Sequence, residues 1–308
     1  MKILMTGGTG FIGTKLGELF NQAGHQIVIV TRQKKSAQQI TPYPAEFIEC
    51  DLQSTALKKS DFNGVDAIVN LIGETIDGRW TKEKKKKILD SRILSAENLL
   101  KNCPLDLKTL VSTSAQGFYG ERKDDVVTES SDAGEGFLAE VCEAWEAPFI
   151  QWQEKAKTRL VILRLGMVLS HRGGALQKLI ALFQKNLGAA LGSGKQWISF
   201  IALNDLCEIY NAALTNPGYQ GIINAVTPNP VRNEEFTAKF CKELGVIQLP
   251  KVPGFVLKIL LGEMAALVLT STRVQPEKLI KLGFKFKFPT ISEVFALELA
   301  EFKDGKRY

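Results

Sequence analysis

The sequence predicts an α/β fold with a doubly wound parallel sheet. Short apolar runs of strand length alternate with longer segments of helical apolar spacing, and the first run ends in a glycine-rich turn. Residues 1–6 suit a buried parallel strand, and Gly7-Gly8-Thr9-Gly10-Phe11-Ile12-Gly13 follows at once. Leu16, Leu19, Phe20 and Ala23 then recur at helical spacing, Gly24 ends the helix, and residues 26–30 form a second apolar run. Strand, glycines, helix and strand make one β-α-β unit of about thirty residues. Gly7, Gly10 and Gly13 sit where the backbone turns sharply and lets a ligand approach without intervening side chains. The helix N-terminus offers unpaired N–H groups and a partial positive charge to a pyrophosphate. Gly7, Thr9, Gly10, Phe11, Ile12 and Gly13 are therefore the expected dinucleotide contacts; a glycine turn without a ligand is the alternative.

Later strand ends carry further candidates. Thr31-Arg32-Gln33-Lys34-Lys35 follows the second strand with cations and no acid. An acidic residue there would accept from both ribose hydroxyls and repel a 2′-phosphate, so Thr31, Arg32 and Lys34 favour NADP(H) over NAD(H). A solvated basic turn is the alternative. Residues 45–50 read as the third strand and 66–71 as the fourth, which runs through Leu71 into Ile72-Gly73-Glu74, where a small residue lets the backbone pass close to a cofactor. A helix over 81–102 shows an apolar face through Ile88, Ile93, Ala96, Leu99 and Leu100. Its opening lysines, Lys82 and Lys84 to Lys87, oppose the helix dipole and read as a solvated face or as a surface for an anionic partner.

Residues 107–112 are the fifth strand and deliver Ser112-Thr113-Ser114-Ala115 to its carboxyl end, the side where ligands bind in such sheets. After an acidic, glycine-rich loop come a helix over 137–155 and a sixth strand over 160–169 containing Arg164 and Met167. The remainder mixes helix and strand: a helix from Gly173 to Gln184, a loop over 188–195, strand residues at 197–201, Asn204-Asp205 as a helix cap, a strand over 222–226 and a helix over 233–244. Residues 250–253 read as a linker. Residues 255–269, apolar on nearly every side, read as a buried helix or a homodimer interface.

At 308 residues, 45% hydrophobic and 23% charged, the chain has the composition of a globular protein. Much of its net charge of +6 lies in the one lysine run, so no nucleic-acid function follows. Five scattered cysteines without a Cys-x-x-Cys pair argue for a reducing compartment. The first strand begins at residue 2, which leaves no room for a signal peptide, and 255–269 is interrupted by Lys258 and Glu263 and too short to span a bilayer. The expected address is the cytoplasm, with no membrane partner. His25 and His171 lie outside the motifs, so a histidine triad or metal site has no support.

The turn Thr6-Gly7-Gly8-Thr9-Gly10-Phe11-Ile12-Gly13 resembles that of the extended short-chain dehydrogenase/reductase superfamily. Asn70-Leu71-Ile72-Gly73-Glu74, Arg79-Trp80-Thr81, Asp90-Ser91-Arg92, Ser112-Thr113-Ser114-Ala115, Glu143-Ala144-Trp145-Glu146, 200–206, 224–231 and Leu261-Gly262-Glu263-Met264 narrow the resemblance to its atypical "epimerase family protein" group, over nearly the whole chain. The resemblance implies a Rossmann-type NADP(H)-binding domain over 1–247, whose later part contributes to the substrate side. It also implies a mainly helical C-terminal domain of unassigned function over 248–308. It adds Asp51 and Leu52 at the adenine, and Ser112 and Met167, to the expected cofactor contacts.

In active relatives a Tyr-x-x-x-Lys pair transfers the proton and a serine polarises the carbonyl. Here the matching helical positions are Leu138 and Cys142, which cannot do that chemistry. Tyr119 to Lys123 is a literal match, but Gly120 and the following acids make it a loop. The catalytic candidates are Ser114, as the polarising hydroxyl or a backbone-bonded one, Tyr119, and Cys142, as a nucleophile or a core residue. The expectation is an NADP(H)-binding oxidoreductase or epimerase-like protein acting on an unidentified small molecule. The alternative is a catalytically silent cofactor-binding regulator.

Overall fold

In a computed structural model describing residues 1–305, the apolar runs stack into one parallel sheet; residues 306–308 of the expected C-terminal domain lie outside the described residues. Its strands are β1 (Lys2–Thr6), β2 (Gln26–Thr31), β3 (Glu46–Glu49), β4 (Ala67–Asn70), β5 (Thr109–Ala115), β6 (Arg159–Leu165) and β7 (Gly221–Ala225). They lie in the order β7-β6-β5-β4-β1-β2-β3, all parallel. Side chains alternate between faces. Ile3 and Met5 pack on one face with Leu16 and Phe20 of the helix Phe11–Gln22 and with the helix Leu203–Thr215. Leu4 and Ile68 pack on the other with the helices Lys82–Leu100 and Phe137–Gln153. The strand order reverses between β1 and β4; in open α/β sheets the crevice that receives ligands lies beyond the carboxyl ends at such a switch point.

Four expectations change. The sixth strand is not continuous: it breaks at Gly166, where an added Cβ would sit 2.7 Å from Val226 and 2.9 Å from the Ser199 carbonyl. Residues Met167–Ser170 leave the sheet and pair with Phe200–Ala202. The expected linker is a strand, Leu249–Val252, paired with Ala189–Leu191 inside the expected loop. Asn204 and Asp205 do not cap a helix, because Leu203–Thr215 already includes them. Asp205 instead accepts the N–H groups of Lys287 (2.9 Å) and Phe288 (3.0 Å). The segment 255–269 is not one buried helix: Gly254–Leu261 ends at Gly262 (φ +60°), a 3₁₀ turn and Ala266–Leu269 follow, and Phe255, Ile259 and Leu260 are 67%, 74% and 69% exposed.

The lysine-rich helix is capped by Thr81, whose hydroxyl accepts the Lys84 N–H at 3.2 Å. Three of its lysines are paired, Lys84 to Glu74, Lys85 to Glu263 and Lys86 to Asp90. Among the described residues no helix is long and apolar enough to cross a membrane.

Candidate functional site

The crevice is walled by the turns after β1, β2 and β4. Gly7 has φ +68°, and a Cβ there would meet the Leu71 carbonyl carbon at 3.0 Å, so only glycine lets the two strand ends approach so closely. Gly13 is tighter still: its Cβ would lie 2.3 Å from the Gly7 oxygen. Gly10 caps the helix Phe11–Gln22 without any side-chain hydrogen bond, which leaves the first-turn N–H groups of Phe11, Ile12 and Gly13 pointing out of the helix end. Thr9 is half-buried beside them.

Thr6 donates to Asn70 (2.6 Å), and the Asn70 amide donates to Ser112 (3.2 Å), so one chain of hydrogen bonds fixes the ends of β1, β4 and β5. Ser112, an expected cofactor contact, is buried, and its hydroxyl accepts from Asn70 as a tie between strands. At the far end of the crevice Thr31 is half-buried, while Arg32 and Lys34 are exposed. Lys84 holds the Glu74 carboxyl below the usual carboxylate range, with help from Arg32 and Lys87, so several cations share this corner. Asp51 is exposed and accepts the Gln53 N–H, Leu52 is core, and Leu71, Ile72 and Met167 are half-buried.

The carboxyl end of β5 is closed. Ser114 donates to Glu146 at 2.6 Å, and Arg164 grips the same carboxylate through Nε (2.9 Å) and Nη2 (2.7 Å). Arg164 Nη1 donates to the Tyr119 hydroxyl (3.1 Å), which donates to Asn224 (2.7 Å). All five residues are at most 3% exposed. Tyr119 belongs to a 3₁₀ turn, Gln116–Tyr119, ended by Gly120 at φ +61°, so no helix aligns it with Lys123. The loop expected from Gly120 is thus a tight turn, and the Tyr119 hydroxyl, a catalytic candidate, is buried and paired inside the protein. Of the two readings of Cys142, a nucleophile or a core residue, burial favours the second: it pushes the thiol up to about 12, and a neutral thiol is a poor nucleophile. Ser114 shares this closed network.

Residues 3–225 match the NAD dependent epimerase/dehydratase family, and residues 252–297 match a domain of unknown function, DUF1731. The chain belongs to the NAD dependent epimerase/dehydratase family. It is similar to the chloroplastic SDR39U1 homolog of Arabidopsis thaliana, an epimerase family protein, at 39% identity over 95% of this chain and 85% of the relative. It is also similar to the epimerase family protein YfhF of Bacillus subtilis, at 32% identity over 98% and 99%. The structure of human epimerase family protein SDR39U1 with NADPH superposes with a TM-score of 0.82, at 29% identity over 97% of this chain and 99% of that one. A UDP-glucuronic acid 4-epimerase from Bacillus cereus shares the fold, with a TM-score of 0.79 at 19% identity over 99% of both chains.

Within this family frame, Leu138 and Cys142 pack against the 3₁₀ turn: a Cβ on Gly117 would lie 3.2 Å from the Leu138 Cβ and 3.5 Å from the Cys142 sulfur. Sequence reasoning did not single out Glu146 with Arg164 as a pair. The signal was present, because a guanidinium inside the apolar strand Arg159–Leu165 requires a buried partner. It named Arg92 only within a family motif; the structure shows it 9% exposed, 4.7 Å from the Trp145 ring centre and donating to the carbonyls of Glu74 and Ile88.

Proposed function

We propose that this protein binds NADP(H) across the crevice between β1 and β4 and serves as an oxidoreductase or epimerase-like protein for an unidentified small molecule, through a site that lacks the usual Tyr/Lys pair. The observation that carries the reading is the uncapped helix end at Gly10, which leaves three N–H groups for a pyrophosphate. Arg32 and Lys34, exposed after β2, supply charge for a 2′-phosphate, and Glu49 at the end of β3 accepts the Lys34 N–H at 2.9 Å. The NADPH in the human SDR39U1 structure supports the same preference. The dinucleotide supplies a hydride when bound. The chain's own residues bind the pyrophosphate, orient the dinucleotide through the fixed strand ends and keep the base of the cleft dry through the Glu146–Arg164 network.

We divide the chain functionally at 1–247 and 248–308 on this reading, and assign it to a reducing compartment because all five cysteines are free thiols. Fluorescence titration with NADPH and NADH tests the cofactor, and absorbance at the NADPH band during incubation with carbonyl compounds and sugar nucleotides tests the chemistry. NADPH bound no more tightly than NADH overturns the preference.

A second reading is favoured by one observation. Ser114, Tyr119 and Cys142 have every polar atom engaged or buried. A catalytically silent cofactor-binding regulator needs no more than that. Tight NADPH binding without turnover on any compound of the panel favours it.

A further inference from the structure

A cavity of about 250 Å³ opens beside the glycine turn, between Thr9, Gly10 and Thr14 on one side and Arg172 on the other, with Lys15 and Glu18 at its margin. Arg172 comes from a different part of the chain, the hairpin that joins Met167–Ser170 to the helix Gly174–Phe183. Two features fix this hairpin over the start of the first helix. Gly173 lies so close to Phe11, the first helical residue, that a Cβ would stand 2.5 Å from its ring. Behind it, the buried Glu298 carboxylate of the C-terminal helix Ile291–Gly305 accepts from the Ser170 hydroxyl (3.0 Å) and the His171 N–H (2.7 Å), and lies 2.6 Å from His171 Nδ1.

The backbone that carries Arg172 is thus held in place, while its side chain is weakly engaged. The side chain is 57% exposed and its partner is Glu301 at 3.4 Å, itself 42% exposed, a pairing of little energetic weight that a better anion displaces. Lys15 adds a second cation, paired at 3.4 Å with Glu18. The cavity thus faces an uncapped helix end on one wall and an exposed, weakly paired cation on the other. Both attract the same charge.

Resting on the NADP(H) reading, we infer that Arg172 closes over the pyrophosphate of the bound dinucleotide from the side opposite the glycine turn, and that Glu298 is the positioning residue that brings the C-terminal segment into cofactor binding. The pyrophosphate is common to NADPH and NADH, whereas the 2′-phosphate is not. That difference separates Arg172 from Arg32.

The test is titration of the full chain with NADPH and with NADH, for wild type, Arg172→Ala, Arg172→Lys, Glu298→Gln and Arg32→Ala, with thermal melts of each. One charge-assisted hydrogen bond to phosphate corresponds to a loss of about ten-fold or more in affinity. Arg172→Ala is expected to weaken both cofactors by the same factor of about ten or more at an unchanged melting temperature, since its side chain is exposed. Arg172→Lys keeps part of the affinity, and Arg32→Ala weakens NADPH alone. Glu298→Gln, which keeps shape but weakens the anchor, gives a smaller loss for both cofactors. Unchanged affinities in Arg172→Ala, or a loss confined to NADPH, overturn the inference while leaving the cofactor reading intact. A wild-type protein that binds neither dinucleotide removes the cofactor reading itself.

Discussion

Two strand ends of this molecule, only one strand apart in the sheet, are built in opposite ways. At the end of β1 the backbone donors of a helix are left without partners and glycines keep the approach open. At the end of β5 five polar side chains satisfy one another out of solvent. Unsatisfied donors at a surface bind anions at little reorganisation, because nothing inside the protein has to be given up first. A network whose members are already paired has nothing left to offer a ligand without breaking a buried bond. The first end is built to receive, the second to hold.

The sharpest way to break this contrast is to remove the carboxylate at the centre of the closed end. Glu146→Ala leaves the Arg164 cation buried and unpaired, and should cost about 3–5 kcal/mol in denaturant unfolding. If Glu146→Ala is as stable as wild type, the network is not the closed unit described here. Next in size, Gly10→Val should fold but lose NADPH affinity by more than about 100-fold, equivalent to about 2.7 kcal/mol, because a branched side chain fills the phosphate path. Retained NADPH binding in that folded variant would mean that the open end receives nothing. Arg32→Ala should cost about 1.5–3 kcal/mol in NADPH affinity and leave NADH unchanged.

A smaller effect concerns pH. Cys142 ionises near 9.0 in an unfolded chain and only at about 12 in the fold, chiefly through burial. Above pH 9 the unfolded chain therefore releases a proton that the folded one keeps. The stability carried by this thiol is complete below that pH and is lost progressively toward about 12, by at most about 1.4 kcal/mol per pH unit. Unfolding curves of wild type and Cys142→Ala at pH 8 and pH 10 should converge as pH rises; curves that stay parallel argue against a sealed thiol. Smallest of all, Tyr119→Phe should cost about 1 kcal/mol of stability, the worth of a buried hydrogen bond, and leave NADPH affinity unchanged. In any turnover assay its loss should stay well under the 10²–10⁴-fold of a general acid, roughly as far as such factors go. A larger loss would place the closed end in the chemistry after all.

The sequence by itself determined the β-α-β unit, the glycine turn, the basic residues after β2 and six of the seven sheet strands to within a few residues of their ends. These are local properties, because apolar period and glycine spacing are read along the chain. It also carries Leu138 and Cys142 on the helix after the acidic loop, at the positions where the family resemblance implies a proton-transfer pair. Only the tertiary structure decided what Ser114, Tyr119 and Cys142 face. Burial and hydrogen-bond partners depend on residues far away, as with Asn224, which meets Tyr119 from 105 positions along the chain. The break at Gly166 was equally invisible, since its cause is the close approach of Val226 and Ser199. The placing of Arg172 over the first helix was hidden for the same reason: it depends on Glu298, 126 positions beyond, and on a glycine that only the folded chain presses against Phe11.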